Sequence, residues 1–232
     1  MIENLPFYIV VTFIITTLVT VGIFQNAFKR GSYTSRTANF LNFLIPFWLI
    51  LQATLAVAGF YRVTDTSPPR LFIYAIFPVL LLIISLFIFS KDIIAKLPLR
   101  TLTLIHIIRI PVELVLFWLF QNNQVPQLMT FEGRNFDILT GITAPIITWL
   151  AFKNESPNKP LLISWNIFGL ILLFNIVFHA ALSVPSPIQQ FAFEQPNLAV
   201  LNFPFTWLPS TVVPIVLFCH LASLYKLLQN KT

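Results

Sequence analysis

Charge is what this sequence has least of. Asp, Glu, Lys and Arg make up 9% of its 232 residues, against about 25% in an ordinary soluble domain. The chain is also 57% hydrophobic, with 25 phenylalanines, and could not cover its surface in water. That excludes a soluble globular enzyme and predicts an all-α integral membrane protein, with the bilayer as its first partner. Cysteine occurs once, as Cys219, which rules out an intramolecular disulfide and a thiolate metal cluster. The six glycines include no G-x-x-x-G pair, so the helices are expected to pack through large apolar side chains rather than close backbone contact. Walker A, G-x-G-x-x-G and nucleophile-elbow patterns are missing, as is a repeat of the kind that builds inverted-repeat transporters. Short alternating segments are missing too, which argues against a transmembrane barrel.

What is present is a series of continuous apolar runs. Seven are read as spans of a single polytopic domain covering residues 1–232: Leu5–Asn26, Phe40–Phe60, Leu71–Ser90, Thr101–Phe120, Ile138–Phe152, Leu161–Leu182 and Leu208–Leu228. The first begins after acidic Glu3 and ends without a small-residue cleavage site, so it reads as a retained span rather than a signal peptide. The fifth is short, about 22 Å at 1.5 Å per residue against a core of about 30 Å. Phe131–Asp137, just before it, is therefore expected to enter the membrane as irregular backbone sheltered by protein. Ser183–Trp207 is long, apolar and proline-stiffened, and is expected to lie on the membrane surface or over the bundle mouth.

The net charge of +6 would suit nucleic acid, but the basic residues sit in short connections between apolar runs, so no nucleic-acid partner is expected. Alternation of seven spans puts Lys29, Arg30, Arg36, Lys91, Lys96, Arg100, Lys153, Lys159, Lys226 and Lys231 on one side, and Arg62, Arg70 and Arg134 on the other. The positive-inside rule then places the N-terminus outside and the C-terminus inside.

Within Thr101–Phe120 three polar groups interrupt the apolar run. His106, Arg109 and Glu113 stand at i, i+3 and i+7 and share one helix face, with Pro111 removing a backbone donor between the charges. Charge at this depth is costly, and such groups face a bundle interior, a partner or a cavity. At 1.5 Å per residue they lie about 8, 12 and 18 Å from the inner boundary, and His220 on the last span falls about 12 Å from it. Toward the outer side lie Asn175, His179 and a second charged group of Glu132, Arg134 and Asp137. These nine residues are the candidate lining of a polar cavity. The structural alternative is that Arg109 and Glu113, four apart, neutralise one another, while a histidine or arginine satisfies the carbonyl that Pro111 frees.

No metal site is expected, because the histidines lack matched spacing, and the sequence specifies no cofactor. The inventory of seven spans, three histidines, aspartate and serine is similar to that of the intramembrane hydrolases that include alkaline ceramidases. That family's paired histidines in the last span are missing here, where only His220 occurs. VPQLMTFEGRNFDILTGITAP (Val125–Pro145), with Gly133, Asp137, Gly141 and Pro145, resembles a segment of uncharacterised bacterial multi-pass inner-membrane proteins. The resemblance covers this segment alone; it implies a bacterial inner membrane and adds no activity. The expected function is transport, conduction or binding of a small solute, with protons linked through histidine. A structural or assembly subunit meeting a membrane-protein partner or a second copy is the first alternative, and an intramembrane metal-dependent hydrolase the second.

Overall fold

Apolar runs of this length fold as helices because a helix satisfies every backbone donor and acceptor within the segment. The computed structural model describes residues 2, 5–31 and 36–229, and they contain no strand. The helices are α1 (Phe7–Gly31), α2 (Arg36–Val57), α3 (Phe77–Phe89), α4 (Lys91–Lys96), α5 (Leu99–Leu104), α6 (Arg109–Gln121), α7 (Ile138–Ala151), α8 (Lys159–Ala181) and α9 (Val213–Leu228). π-helical turns at Phe72–Ile76 and Leu208–Val212 lead into α3 and α9, and a 3-10 turn at Ile105–Ile108 joins α5 to α6.

Among the described residues six stretches are long and apolar enough to cross a membrane: Phe7–Gly31, Arg36–Val57, Phe72–Phe89, Leu99–Gln121, Lys159–Ala181 and Leu208–Leu228. The fifth expected span is the 14-residue α7. Two expectations need correcting at the first connection. Lys29, Arg30 and Gly31 form the last turn of α1, and Arg36 opens α2. Cations there oppose the negative end of the α1 dipole, which extends the helix. Glu3 and Lys231 lie outside the described residues.

Prolines inside helices free carbonyls one turn back, and neighbouring helices supply the missing donors. Pro46 frees Asn42, whose carbonyl accepts from Gln25 Nε2 at 3.4 Å. Pro78 frees Tyr74, which accepts from Gln52 Nε2 at 3.0 Å. Pro214 frees Ser210, which accepts from Trp48 Nε1 at 3.0 Å. Gln52, the lone polar residue in the middle of its span, therefore ties α2 to the π-helical turn before α3. Its Oε1 also accepts from the buried Tyr61 hydroxyl at 2.6 Å.

Leu99–Gln121 and Leu208–Leu228 are the most enclosed stretches, and Phe72–Phe89 the least. At one end of the bundle Leu99, Phe152, Leu162 and Leu227 pack together, and Lys226 Nζ donates to the Leu97 carbonyl. At the other end Ser183–Trp207 folds over the helices. Leu198 and Ala199 donate to the Gln124 carbonyl, each at 3.0 Å. Gln195 Nε2 donates to the carbonyls of Phe120 and Val125 at 3.1 and 2.6 Å, and Trp207 Nε1 donates to that of Leu49 at 2.9 Å.

Candidate functional site

The 3-10 turn at Ile105–Ile108 is where Pro111 acts. The Arg109 N–H reaches back to the carbonyls of His106 and Ile107, so α6 begins afresh at Arg109, half-way along Leu99–Gln121. Arg109 is 2% exposed, as is Glu113, and Asp137 is 6% exposed. Among the described residues these three are the buried Asp, Glu, Lys and Arg side chains.

The segment before α7 turns inward to reach them. A 3-10 turn at Gln127–Met129 is followed by a tight loop in which Gly133 and Asn135 both donate to the Thr130 carbonyl. A Cβ on Gly133 would stand 2.2 Å from the Gln127 oxygen and 2.6 Å from Leu128 Cα, so only glycine fits. The loop delivers Asn135 and Asp137 to the middle of the helical stretch. Asp137 Oδ1 is ion-paired with Arg109 Nη1. Asn135 Nδ2 donates to both Glu113 oxygens, at 2.6 and 2.7 Å, and to the Met129 carbonyl at 3.0 Å, while its Oδ1 accepts the Asp137 N–H at 3.0 Å. The helical neutralisation of Arg109 by Glu113 is therefore not the contact made: each has a partner on the loop.

On its other side Arg109 Nη2 lies 3.1 Å from His220 Nε2, and His220 Nδ1 lies 2.8 Å from Asn166 Oδ1. A guanidinium only donates, so Nε2 accepts and the imidazole is the neutral Nδ1–H tautomer. That proton goes to Asn166, whose own Nδ2 donates to the Leu162 carbonyl at 2.8 Å. Every polar group of His220 is satisfied.

His106 is also fully buried. Its ring stacks on His220 at 3.9 Å between centroids and meets the edge of Trp165 at 5.3 Å. Neither of its nitrogens has a hydrogen-bond partner among the described residues, nor do Arg109 Nε and Thr140 Oγ1. Backbone approach is close here. A Cβ on Gly169 would lie 2.4 Å from His220 Cε1, and one on Gly141 would lie 3.1 Å from the Ile110 nitrogen. The expectation of packing through large side chains thus fails at these crossings, because a polar centre leaves no room for them.

The other expected residues do not join this centre. Glu132 and Arg134 are exposed, with their loop turned so that Asn135 and Asp137 face inward instead. Asn175 Nδ2 donates to the Arg134 carbonyl at 2.6 Å. His179 Nδ1 donates to the Asn175 carbonyl at 2.8 Å, and its ring stacks on Phe191 at 5.4 Å, so two histidines converge and the third does not. Asn135, Asn166, Thr140, Trp165 and Gly169 belong to the centre and were not among the expected residues. Asn166 carried a signal, as an amide within an apolar run, and Asn135 only as one more polar residue of the segment before α7. Among the described residues no three His, Cys, Asp or Glu side chains are grouped to hold a metal ion.

A cavity of about 240 Å³ adjoins the centre, walled by apolar residues of α3, α6, α8 and α9, with Glu113, Asp137 and Asn197 as its polar side chains. Residues 68–228 match the model of a family described as a domain of unknown function, DUF8737. The chain belongs to that family. The DUF8737 match takes in the whole arginine centre and leaves out α1 and α2. No curated protein and no solved structure matches the chain.

Proposed function

We propose that this DUF8737 chain is a seven-span membrane protein, N-terminus outside and C-terminus inside, that binds a small solute at mid-membrane beside the Arg109–Asp137 pair in the course of transport. The observation that carries this reading is the burial of three charged side chains half-way along a helical stretch, two of them facing a cavity. Structural proteins avoid such groups because of their cost in hydrocarbon. α7, together with the loop before it, serves as the seventh span. The basic residues Lys29, Arg30, Lys96, Arg100, Lys153, Lys159 and Lys226 then share the inner end. His106, with both nitrogens unpartnered among the described residues, is the group of the centre left open to hydrogen-bond a solute. Placement in a bacterial inner membrane rests on the resemblance of Val125–Pro145.

The polar groups turn into the chain's own core rather than toward a partner, which favours solute binding over an assembly subunit. Double substitution separates the two. Arg109→Gln and Asp137→Asn are each expected to destabilise, and the pair together to regain folding without restoring growth of a deletion strain. Full complementation by the double variant would make the pair a structural ion pair and end the transport reading. For orientation, single cysteines in a Cys219→Ala background at Lys153 and Arg62 are expected to label from opposite faces of the membrane, Arg62 from outside. Labelling from one face contradicts seven spans.

A further inference from the structure

The cavity beside the arginine centre has a one-sided chemistry. Its three polar side chains, Glu113, Asp137 and Asn197, present acceptors. Asn197 is 1% exposed, its Nδ2 donates to the Ala180 carbonyl at 3.3 Å, and its Oδ1 has no partner among the described residues. Asp137 uses Oδ1 for Arg109, which leaves Oδ2 unassigned. Pro209 and Pro214 in the wall carry no N–H, and the remaining lining side chains are apolar apart from the Met129 thioether. A ligand without donors would leave Asn197 Oδ1 unpaired, at a cost of about 1–3 kcal/mol, and would give no second partner to the carboxyl oxygens of Glu113 and Asp137. Counted by groups, the centre sets one cation, Arg109, beside two carboxyl groups, which favours a cationic ligand over an anionic one.

The exposed members of the lining, Leu80 on α3 and Phe174 and Val177 on α8, put the mouth on the flank of the bundle, between those helices. At about 240 Å³ the space is below the roughly 300–1,000 Å³ of drug-sized sites.

Resting on the solute-binding reading, we infer that the ligand is a small lipophilic amine, held as its ammonium by Glu113, Asp137 and Asn197, which enters from the bilayer between α3 and α8. A phospholipid amine is disfavoured, because its phosphate would bring a further negative charge beside the carboxyl groups of Glu113 and Asp137.

The test uses the full chain in phosphatidylcholine nanodiscs with radiolabelled octylamine, octanol and octanoate as probes. Octylamine is expected to bind saturably and octanoate not at all, with octanol weaker than octylamine. Glu113→Gln should weaken octylamine about tenfold or more, as loss of a hydrogen bond to a charged group does, and Asn197→Ala about threefold. Val177→Trp lies on the exposed rim away from the buried charges; it should block binding with folding intact, and so decides the matter even if Glu113→Gln fails to fold. Adding phosphatidylethanolamine to the discs should not displace octylamine. Displacement would reassign the site to a lipid headgroup and overturn the inference. Octanoate or octanol binding as well as octylamine would overturn the amine assignment while leaving a solute site. Octylamine binding untouched by Val177→Trp and Glu113→Gln, or no saturable binding at all, also overturns it. The solute-binding reading itself stands or falls separately, on the Arg109/Asp137 double variant.

Discussion

His106 and His220 are stacked 3.9 Å apart at one depth in one protein, yet their surroundings are opposite. His220 has both nitrogens bonded, one to Arg109 and one to Asn166, whereas His106 has neither. Burying a polar group is tolerated when hydrogen bonds replace water and costs free energy when they do not. His220 therefore belongs to the framework that aims Arg109 at Asp137. His106 is a cost the fold carries at its centre, and unpaid costs of this kind gather at functional sites.

The sharpest way to break this contrast is to remove the group both histidines surround. Arg109→Leu leaves Asp137 buried without its partner, and is expected to destabilise by about 3–5 kcal/mol, read as thermal unfolding in detergent. Next in size is the histidine pair itself. His220→Leu strands an Arg109 donor and the Asn166 acceptor and should cost about 2–3 kcal/mol. His106→Leu deletes two unpartnered atoms and should change stability by less than about 1 kcal/mol while abolishing complementation. Equal costs for the two would erase the distinction drawn here. Between these two lies Gly169→Ala, whose methyl meets the His220 ring and must displace it from Arg109, at about 1–3 kcal/mol. Wild-type stability there would show that the ring is not held in place.

The smallest effect concerns a third buried ring, the satisfied Tyr61. Burial pushes its phenol up to about 12 from the ordinary 10. The unfolded chain then loses this proton first, so stability falls as pH climbs from 10 toward 12. Tyr61→Phe should flatten that part of the stability curve. An unchanged slope would show that Tyr61 does not set it.

Much of the fold was legible because helix formation in an apolar run is a local matter of backbone satisfaction, and length alone separates six long stretches from α7. Helix ends were less so, since Lys29, Arg30 and Arg36 read as loop yet continue helices. Half of the site was legible for a related reason. His106, Arg109 and Glu113 are conspicuous in an apolar run, and counting residues along two antiparallel stretches brings His220 to the depth of Arg109. The rest depends on which way one loop faces. Glu132, Arg134, Asn135 and Asp137 are equally polar in sequence, and only the turn locked by Gly133 against the Gln127 carbonyl sends two inward and two outward. Gly169 carries no polar signal at all, and the Thr140 hydroxyl is one among several threonines in the apolar runs; their role comes from what packs against them.

The account rests on His220 accepting from Arg109 and leaving His106 as the open group. Solid-state ¹⁵N NMR of histidine-labelled protein in bilayers reads each ring nitrogen directly, with His220→Leu and His106→Leu assigning the signals. The predicted result is a neutral His220 protonated on Nδ1, with an unprotonated, hydrogen-bonded Nε2. An imidazolium, or a neutral His220 protonated on Nε2, would contradict it, because Arg109 has no proton acceptor to meet in either.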